Sequence, residues 1–314
     1  MSATRERYRG SLLGLACGDA VGTTVEFSPR GSFAPVTDML GGGPFRLKAG
    51  QWTDDTSMAL CLAESFLTKG EFDPLDQINR YRNWHQWGYL SSTGTCFDIG
   101  MTVRDALSRF SASGDPYSGS TSPRSAGNGS LMRLVPAVLF AYPDRARVLE
   151  FAADSSRTTH GAPEAVQACQ LFAGILGAAL DGQPKEALLA NAGFVPTEPK
   201  LAAIASGAFL GKADSAIQGT GYAVDSLEAA LWCFFHTDSV EAAVLRAANL
   251  GDDADTTAAI TGQIAGAFYG VEGIPARWLD RITMRAEIDD MACRLYDRFY
   301  PVNCERSRDR ERMA

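Results

Sequence analysis

Long apolar runs are missing from this 314-residue chain: no stretch of 18 or more uncharged apolar residues occurs. Neither a membrane span nor a signal-peptide core is therefore expected. A basic excess is also missing. Lys and Arg number 29 against 37 Asp and Glu, for a net charge of −8. That balance excludes non-specific nucleic-acid binding, which depends on neutralising phosphates. Histidine is scarce, with only His85, His160 and His236. The seven cysteines form no C-x-x-C pair, so a thiolate zinc site is not expected. Unpaired cysteines on apolar faces suit a reduced, cytoplasmic protein.

What is present is an ordinary globular composition, 46% hydrophobic and 21% charged, enough to bury a large core. Length alone suggests about two domains. The dominant periodicity is helical, and convincing β alternation is scarce, so the fold reads as all-α. Met58, Cys61, Leu62, Ser65 and Phe66 make one stripe, spaced as a helix face. Leu227, Ala230, Leu231, Phe234 and Phe235 repeat it behind Asp225 and Glu228, a pair resembling a capping box. Ile260, Ile264, Ala267 and Phe268 make a third, stopped at Gly270. Pro163–Gly182 and a segment holding Tyr8, Leu12, Leu15 and Ala16 add two more. Trp84 and Trp87, three apart, read as helix packing, and His85 and His236 as structural. The small residues Ala258, Ala259, Gly262, Ala265 and Gly266 imply close approach of a neighbouring helix.

Two long stretches break the pattern. Pro29–Gly50 holds Gly41-Gly42-Gly43, and 13 of the 20 residues in Ser111–Ser130 are Ser, Gly or Pro. Irregular segments of that length are usually functional or disordered.

Two clusters carry the chemistry. Gln51-Trp52-Thr53-Asp54-Asp55-Thr56 precedes the Met58 helix, and Gly251-Asp252-Asp253-Ala254-Asp255-Thr256-Thr257 precedes the Ile260 helix. Capping and the helix dipole explain either one alone. Two matched clusters are harder to explain that way, because five packed carboxylates repel unless protonated or bridged by cations. Their hard oxygen donors suit Mg²⁺, Mn²⁺ or Ca²⁺, and four carboxylates balance two divalent ions. Asp253 and Asp255 can both face inward only if the backbone bends, which Gly251 would permit.

The motifs in order resemble one family. Gly14-Leu15-Ala16-Cys17-Gly18-Asp19-Ala20-Val21-Gly22 is followed by Glu26, Trp52-Thr53-Asp54-Asp55-Thr56 and Phe97-Asp98-Ile99-Gly100. Then come Gly127-Asn128-Gly129-Ser130-Leu131-Met132-Arg133, Thr159-His160, Gly221-Tyr222 and Asn249-Leu250-Gly251-Asp252-Asp253-Ala254-Asp255-Thr256. From Tyr8 to Arg298 the chain is similar to the ADP-ribosylglycohydrolases. The resemblance implies a compact, single-domain, orthogonal all-α bundle over residues 1–302 with a central dinuclear metal cleft. A polar tail, 303–314, would follow. The implied ligands of two Mg²⁺ or Mn²⁺ ions are Thr53, Asp54, Asp55, Asp253, Asp255 and Thr256. Asp252 stands where many relatives have glycine, and is expected to support the ligands or cap the helix.

The implied reaction cleaves ADP-ribose from a modified protein side chain, most plausibly arginine, and releases free ADP-ribose. Serine-linked, O-acetyl and nucleobase acceptors, and a non-catalytic relative that binds ADP-ribose or is purely structural, are the alternatives. Such cleavage needs activated water, a stabilised leaving group and fixed ribose hydroxyls. Asp98 is the implied base or proton shuttle and Glu26 a second acid reaching the metals. Gly127, Asn128, Gly129, Ser130 and Met132 would cradle the diphosphate, with His160 beside it and Tyr222 stacked on adenine. Acceptor choice is expected to lie in a rim formed by Pro29–Gly50 and Ser111–Ala126. A monomer is the default expectation.

Overall fold

The computed structural model describes residues 3–300, so the expected tail 303–314 and Cys304 lie outside the described residues. Thirteen α-helices are described: α1 (Ala3–Gly22), α2 (Asp54–Lys69), α3 (Pro74–Trp87), α4 (Met101–Ser113), α5 (Val135–Ala141), α6 (Arg145–Arg157) and α7 (Pro163–Leu180). They continue as α8 (Pro199–Ala205), α9 (Ala223–Phe235), α10 (Val240–Ala248), α11 (Ala254–Tyr269), α12 (Ala276–Leu279) and α13 (Arg285–Asp297). Among the described residues only isolated β-bridges occur, and the all-α reading stands as one domain. No helix there is long and apolar enough to cross a membrane.

The first and eleventh helices form the spine. Glycines recur every fourth residue along α1, at Gly10, Gly14, Gly18 and Gly22, and face Gly266, Gly262, Ala258 and Ala254 of α11. A methyl at Gly14 would strike the Gly262 carbonyl, and one at Gly262 would strike the Gly14 carbonyl. The backbones therefore touch, which repays the cost of about 1 kcal/mol that a helical glycine carries. This contact explains the small residues of α11. It also brings residues 19 and 255 together from opposite ends of the chain.

The five expected helices form, and α11 stops at Gly270, whose N–H donates to Gly266 O with φ +75°. Three local readings need correction. The Asp225/Glu228 capping box is absent: α9 starts at Ala223, Asp225 accepts from Thr220 Oγ1 and Glu228 pairs with Lys212. Trp84 is buried, but Trp87 is 78% exposed and packs nothing into the core. The stretch 111–130 begins inside α4 and is then pinned by bridges from Ser120 to His160 and from Gly127 to Tyr222.

Candidate active site

Neither acidic cluster caps its own helix. Thr53 occupies the N-cap of α2 and Asp253 that of α11, and neither side chain bonds the helix's free N–H groups. Those side chains turn to a central cleft instead. Capping of α2 passes to Asp19, buried on α1, whose carboxylate accepts from Thr53 N (2.9 Å), Thr53 Oγ1 (3.0 Å), Thr56 N (3.0 Å) and Thr56 Oγ1 (2.6 Å). The sequence alone assigns Asp19 no role beyond its place in the Gly14–Gly22 motif. Its signal was a lone acid within a Gly/Ala-rich helix, a place where a charge must have partners.

At α11 the bend falls where Gly251 permits it, with φ +72° there and +54° at Asp252. Asp252 is exposed at the lip, and its backbone bonds Ser28 O and Phe27 N. It therefore precedes the N-cap rather than capping, and its left-handed φ explains why glycine suits the position. Thr53 Oγ1 lies 3.3 Å from Asp55 Oδ2 and 3.2 Å from Asp255 Oδ2, and Thr256 Oγ1 lies 3.3 Å from Asp55 Oδ2. The two clusters thus share one polar floor. Asn128 Nδ2 donates to Asp253 Oδ2 at 2.7 Å and ties that floor to the glycine loop.

Glu26 and Asp98 complete the floor. Glu26 is only 4% exposed. A carboxylate oxygen from each of Glu26, Asp98 and Asp255 lies within 4.8 Å of the others. Asp98 sits at φ +60°, two residues before the Gly100 N-cap of α4, and is no cap. Burial, then the charges of Asp98 and Asp253, push the Glu26 carboxyl up to about 9. Burial and the charges of Asp19 and Asp253 push Asp98 up to about 7. Asp54, Asp55 and Asp255 are likewise raised, first by burial and next by the charge of Asp98 on Asp54, of Asp19 on Asp55 and of Glu26 on Asp255. Among the described residues, three buried oxygens of the floor, Glu26 Oε2, Asp55 Oδ1 and Asp255 Oδ1, have no hydrogen-bond partner. An acidic floor with orphaned oxygens fits divalent cations, which would satisfy both the lone pairs and the charge.

Above the floor opens a cleft of about 940 Å³. Its lining takes Glu26, Asp54, Asp98, Asp253, Asp255 and Thr256 on one side and Gly127, Asn128, Gly129, Met132 and His160 on the other. Thr53 and Asp55 lie deeper, fully buried. Two expected contacts are not in the lining. Ser130 is buried with its hydroxyl 2.8 Å from that of Ser156, and Tyr222 is held at its hydroxyl by Lys200. At the mouth of the cleft the lining is Phe27, Ile99, Met101 and Asp252, and from the expected rim Phe45 of Pro29–Gly50 packs against Phe27 and Phe97.

The whole chain matches a known architecture. Residues 1–304 match the model of the ADP-ribosylglycohydrolase family. The chain belongs to the ADP-ribosylglycohydrolase family. It is 45% identical to the ADP-ribosylarginine hydrolase Tri1 of Pseudomonas putida (strain GB-1) over 93% of this chain and 78% of that protein. It is 34% identical to the ADP-ribosyl-[dinitrogen reductase] glycohydrolase of Rhodospirillum rubrum over 91% of this chain and 93% of that one. A solved structure titled ADP-ribosylglycohydrolase-related protein complex superposes with a TM-score of 0.83 at 45% identity, covering 94% of this chain and 99% of that chain. As an ADP-ribosylglycohydrolase, the protein is an enzyme with one central site drawn from both ends of the chain, which overrides the two-domain expectation from length.

Proposed function

We propose that this ADP-ribosylglycohydrolase removes ADP-ribose from arginine side chains of proteins and depends on two Mg²⁺ or Mn²⁺ ions. The observation that carries the reading is the pairing, in one cleft, of an acidic floor holding orphaned oxygens with a glycine loop that offers two free glycine N–H groups. Among the described residues, the Gly127 and Gly129 N–H groups take no protein acceptor and both glycines line the cleft, as an anion cradle requires. The name of the 45%-identical relative supports arginine as the acceptor. The six cysteines among the described residues are all free, which fits a cytoplasmic site of action.

Thr53, Asp54, Asp55, Asp253, Asp255 and Thr256 would hold the cations, which when bound supply Lewis acidity and a template for ribose hydroxyls. The Asp98 carboxylate, at the cleft wall, accepts the proton of the attacking water. Glu26, whose Oε2 has no partner among the described residues and lies beside Asp98 and Asp255, would be the second acid reaching the ions. The glycine loop orients the diphosphate so that the reacting ribose reaches the floor. Tyr222 is placed for adenine only if its ring leaves Lys200.

Release of ADP-ribose from matched arginine- and serine-linked peptides, with Mg²⁺, with Mn²⁺ and with EDTA, tests the reading. Metal-dependent release from the arginine peptide is expected. Asp255→Asn should lower that rate at least about 100-fold with the fold retained. Release from serine alone would reassign the acceptor, and full activity in EDTA would overturn the metal requirement.

A further inference from the structure

Arg133 has no role in the reaction as described, yet it is completely buried and has no carboxylate partner among the described residues. A buried guanidinium is costly unless its donors and charge are satisfied. Here the ring of Tyr81 lies 4.6 Å from the guanidinium carbon, and Nη2 meets the C-terminal end of α6 at Ser155 O (3.1 Å), the negative end of that helix. Nη1 donates to Gly129 O at 2.9 Å, drawing that carbonyl out of the glycine cradle. Nη2 also donates to Thr159 Oγ1 at 2.7 Å.

The last bond has a consequence for His160. Thr159 Oγ1 carries one hydrogen and is buried, and its other partner is His160 Nδ1 at 2.8 Å. Arginine can only donate, so it occupies a lone pair of the hydroxyl and leaves the hydroxyl hydrogen to Nδ1. Were Nδ1 protonated instead, that buried hydrogen would have no acceptor among the described residues. The proton of the neutral imidazole therefore sits on Nε2. That atom faces the loop: a methyl at Gly129 would lie 3.1 Å from it and one at Gly127 3.5 Å. Nε2 has no protein partner among the described residues, and His160 lines the cleft. The ring's backbone is fixed too, with His160 N donating to Ser156 O at 2.7 Å.

We propose that Arg133 and Thr159 are positioning residues that lock His160 as a one-way donor, Nε2–H outward, to an anionic oxygen of the ligand. Naming that oxygen as a diphosphate oxygen of ADP-ribose rests on the proposed function; the lock itself does not. Burial and the Arg133 charge hold His160 near 3, so the ring stays neutral while it donates.

The test is side-chain nitrogen NMR of the ligand-free, full-length protein labelled at its three histidines, with the His160 signals assigned by their loss in His160→Gln. The expected spectrum is a single Nε2–H form with Nδ1 accepting a hydrogen bond. In Thr159→Val the Nδ1 resonance should move to its unbonded position and an Nδ1–H form should appear, whereas Thr159→Ser should restore the wild-type spectrum. Calorimetry with ADP-ribose should show roughly tenfold weaker binding for Thr159→Val and no more than about twofold for Thr159→Ser, the scale of one hydrogen bond to a charged group. An Nδ1–H form in the wild type, or an unchanged spectrum in Thr159→Val, overturns the lock. Wild-type protein that shows the lock yet binds no ADP-ribose would overturn the ligand reading alone.

Discussion

Without cations, the acidic floor should make this protein less stable as pH rises, and binding a divalent ion should expel protons. Glu26 and Asp98 stand at about 9 and about 7, both above their ordinary carboxyl values. At pH 7 these two groups alone give the folded chain roughly 1.5 more protons than the unfolded chain, one on Glu26 and half of one on Asp98, and the raised Asp54, Asp55 and Asp255 act in the same direction. Folded groups that are raised favour the protonated state, so the stability they permit is whole near pH 4. It is lost as pH climbs through about 7 and then about 9. The slope near neutrality is about −2 kcal/mol per pH unit, or about 4 kcal/mol between pH 6 and 8. That is a large share of a typical total of about 5–15 kcal/mol. Denaturant unfolding in EDTA at pH 6, 7 and 8 measures the slope, and the same series with Mg²⁺ or Mn²⁺ should flatten it. Calorimetric titration of the cation in buffers of different ionisation enthalpy counts the protons released, and roughly one to two are expected at pH 7. A cation-free stability that is flat or rises from pH 6 to 8, with no proton release, would refute this account of the floor.

Asp19 tests whether α2 is capped from another helix. Asp19→Ala should cost about 3 kcal/mol or more, since two backbone N–H groups and two hydroxyls lose a buried acceptor. Asp19→Asn keeps one acceptor oxygen and removes a repelled charge, so about 1 kcal/mol is expected, and equal losses by urea unfolding would argue against the cap. The spine is tested by Gly262→Ala, which should cost about 3 kcal/mol because both backbones must part. Gly211→Ala, where a methyl meets nothing within 4 Å, should change stability by less than about 0.5 kcal/mol.

The helices and the ligand clusters were legible because their signals are local. A stripe such as Met58 to Phe66 encodes its own buried face, and Asp253 and Asp255 follow closely on Gly251, the glycine that bends the chain into α11. Residues whose partners lie far away in sequence were not legible. Asp19 acts on residues 34 and 37 positions later, and Arg133 reaches Thr159 26 positions on. Neither distance is periodic, so nothing in the sequence links the pairs. The glycine spine was half legible. The small residues of α11 stood out, while the four-residue spacing of Gly10, Gly14, Gly18 and Gly22 was a readable signal for the matching face. Trp87 and the Asp225/Glu228 pair went the other way: helical spacing and a capping pattern were present, and tertiary context used neither.

The division of the cleft follows from how each wall is held. The floor is set by backbone contact between α1 and α11 and by Asp19, which leaves little room to adjust it without breaking the spine. The loop wall is pinned by Arg133 at Gly129 and by the bridges at Ser120 and Gly127. The remaining freedom lies at the rim, where Phe27 is 64% and Met101 81% exposed and Phe27, Phe45 and Phe97 form a chain of ring contacts at 6.4 and 5.2 Å. On the proposed reading, an acceptor leaving the ribose would pass this apolar lip with Asp252 beside it. Flat aromatic faces and one exposed carboxylate favour a planar cation over a small neutral hydroxyl. Under the proposed function, that asymmetry would tie acceptor choice to a few rim side chains and leave the acidic floor unchanged.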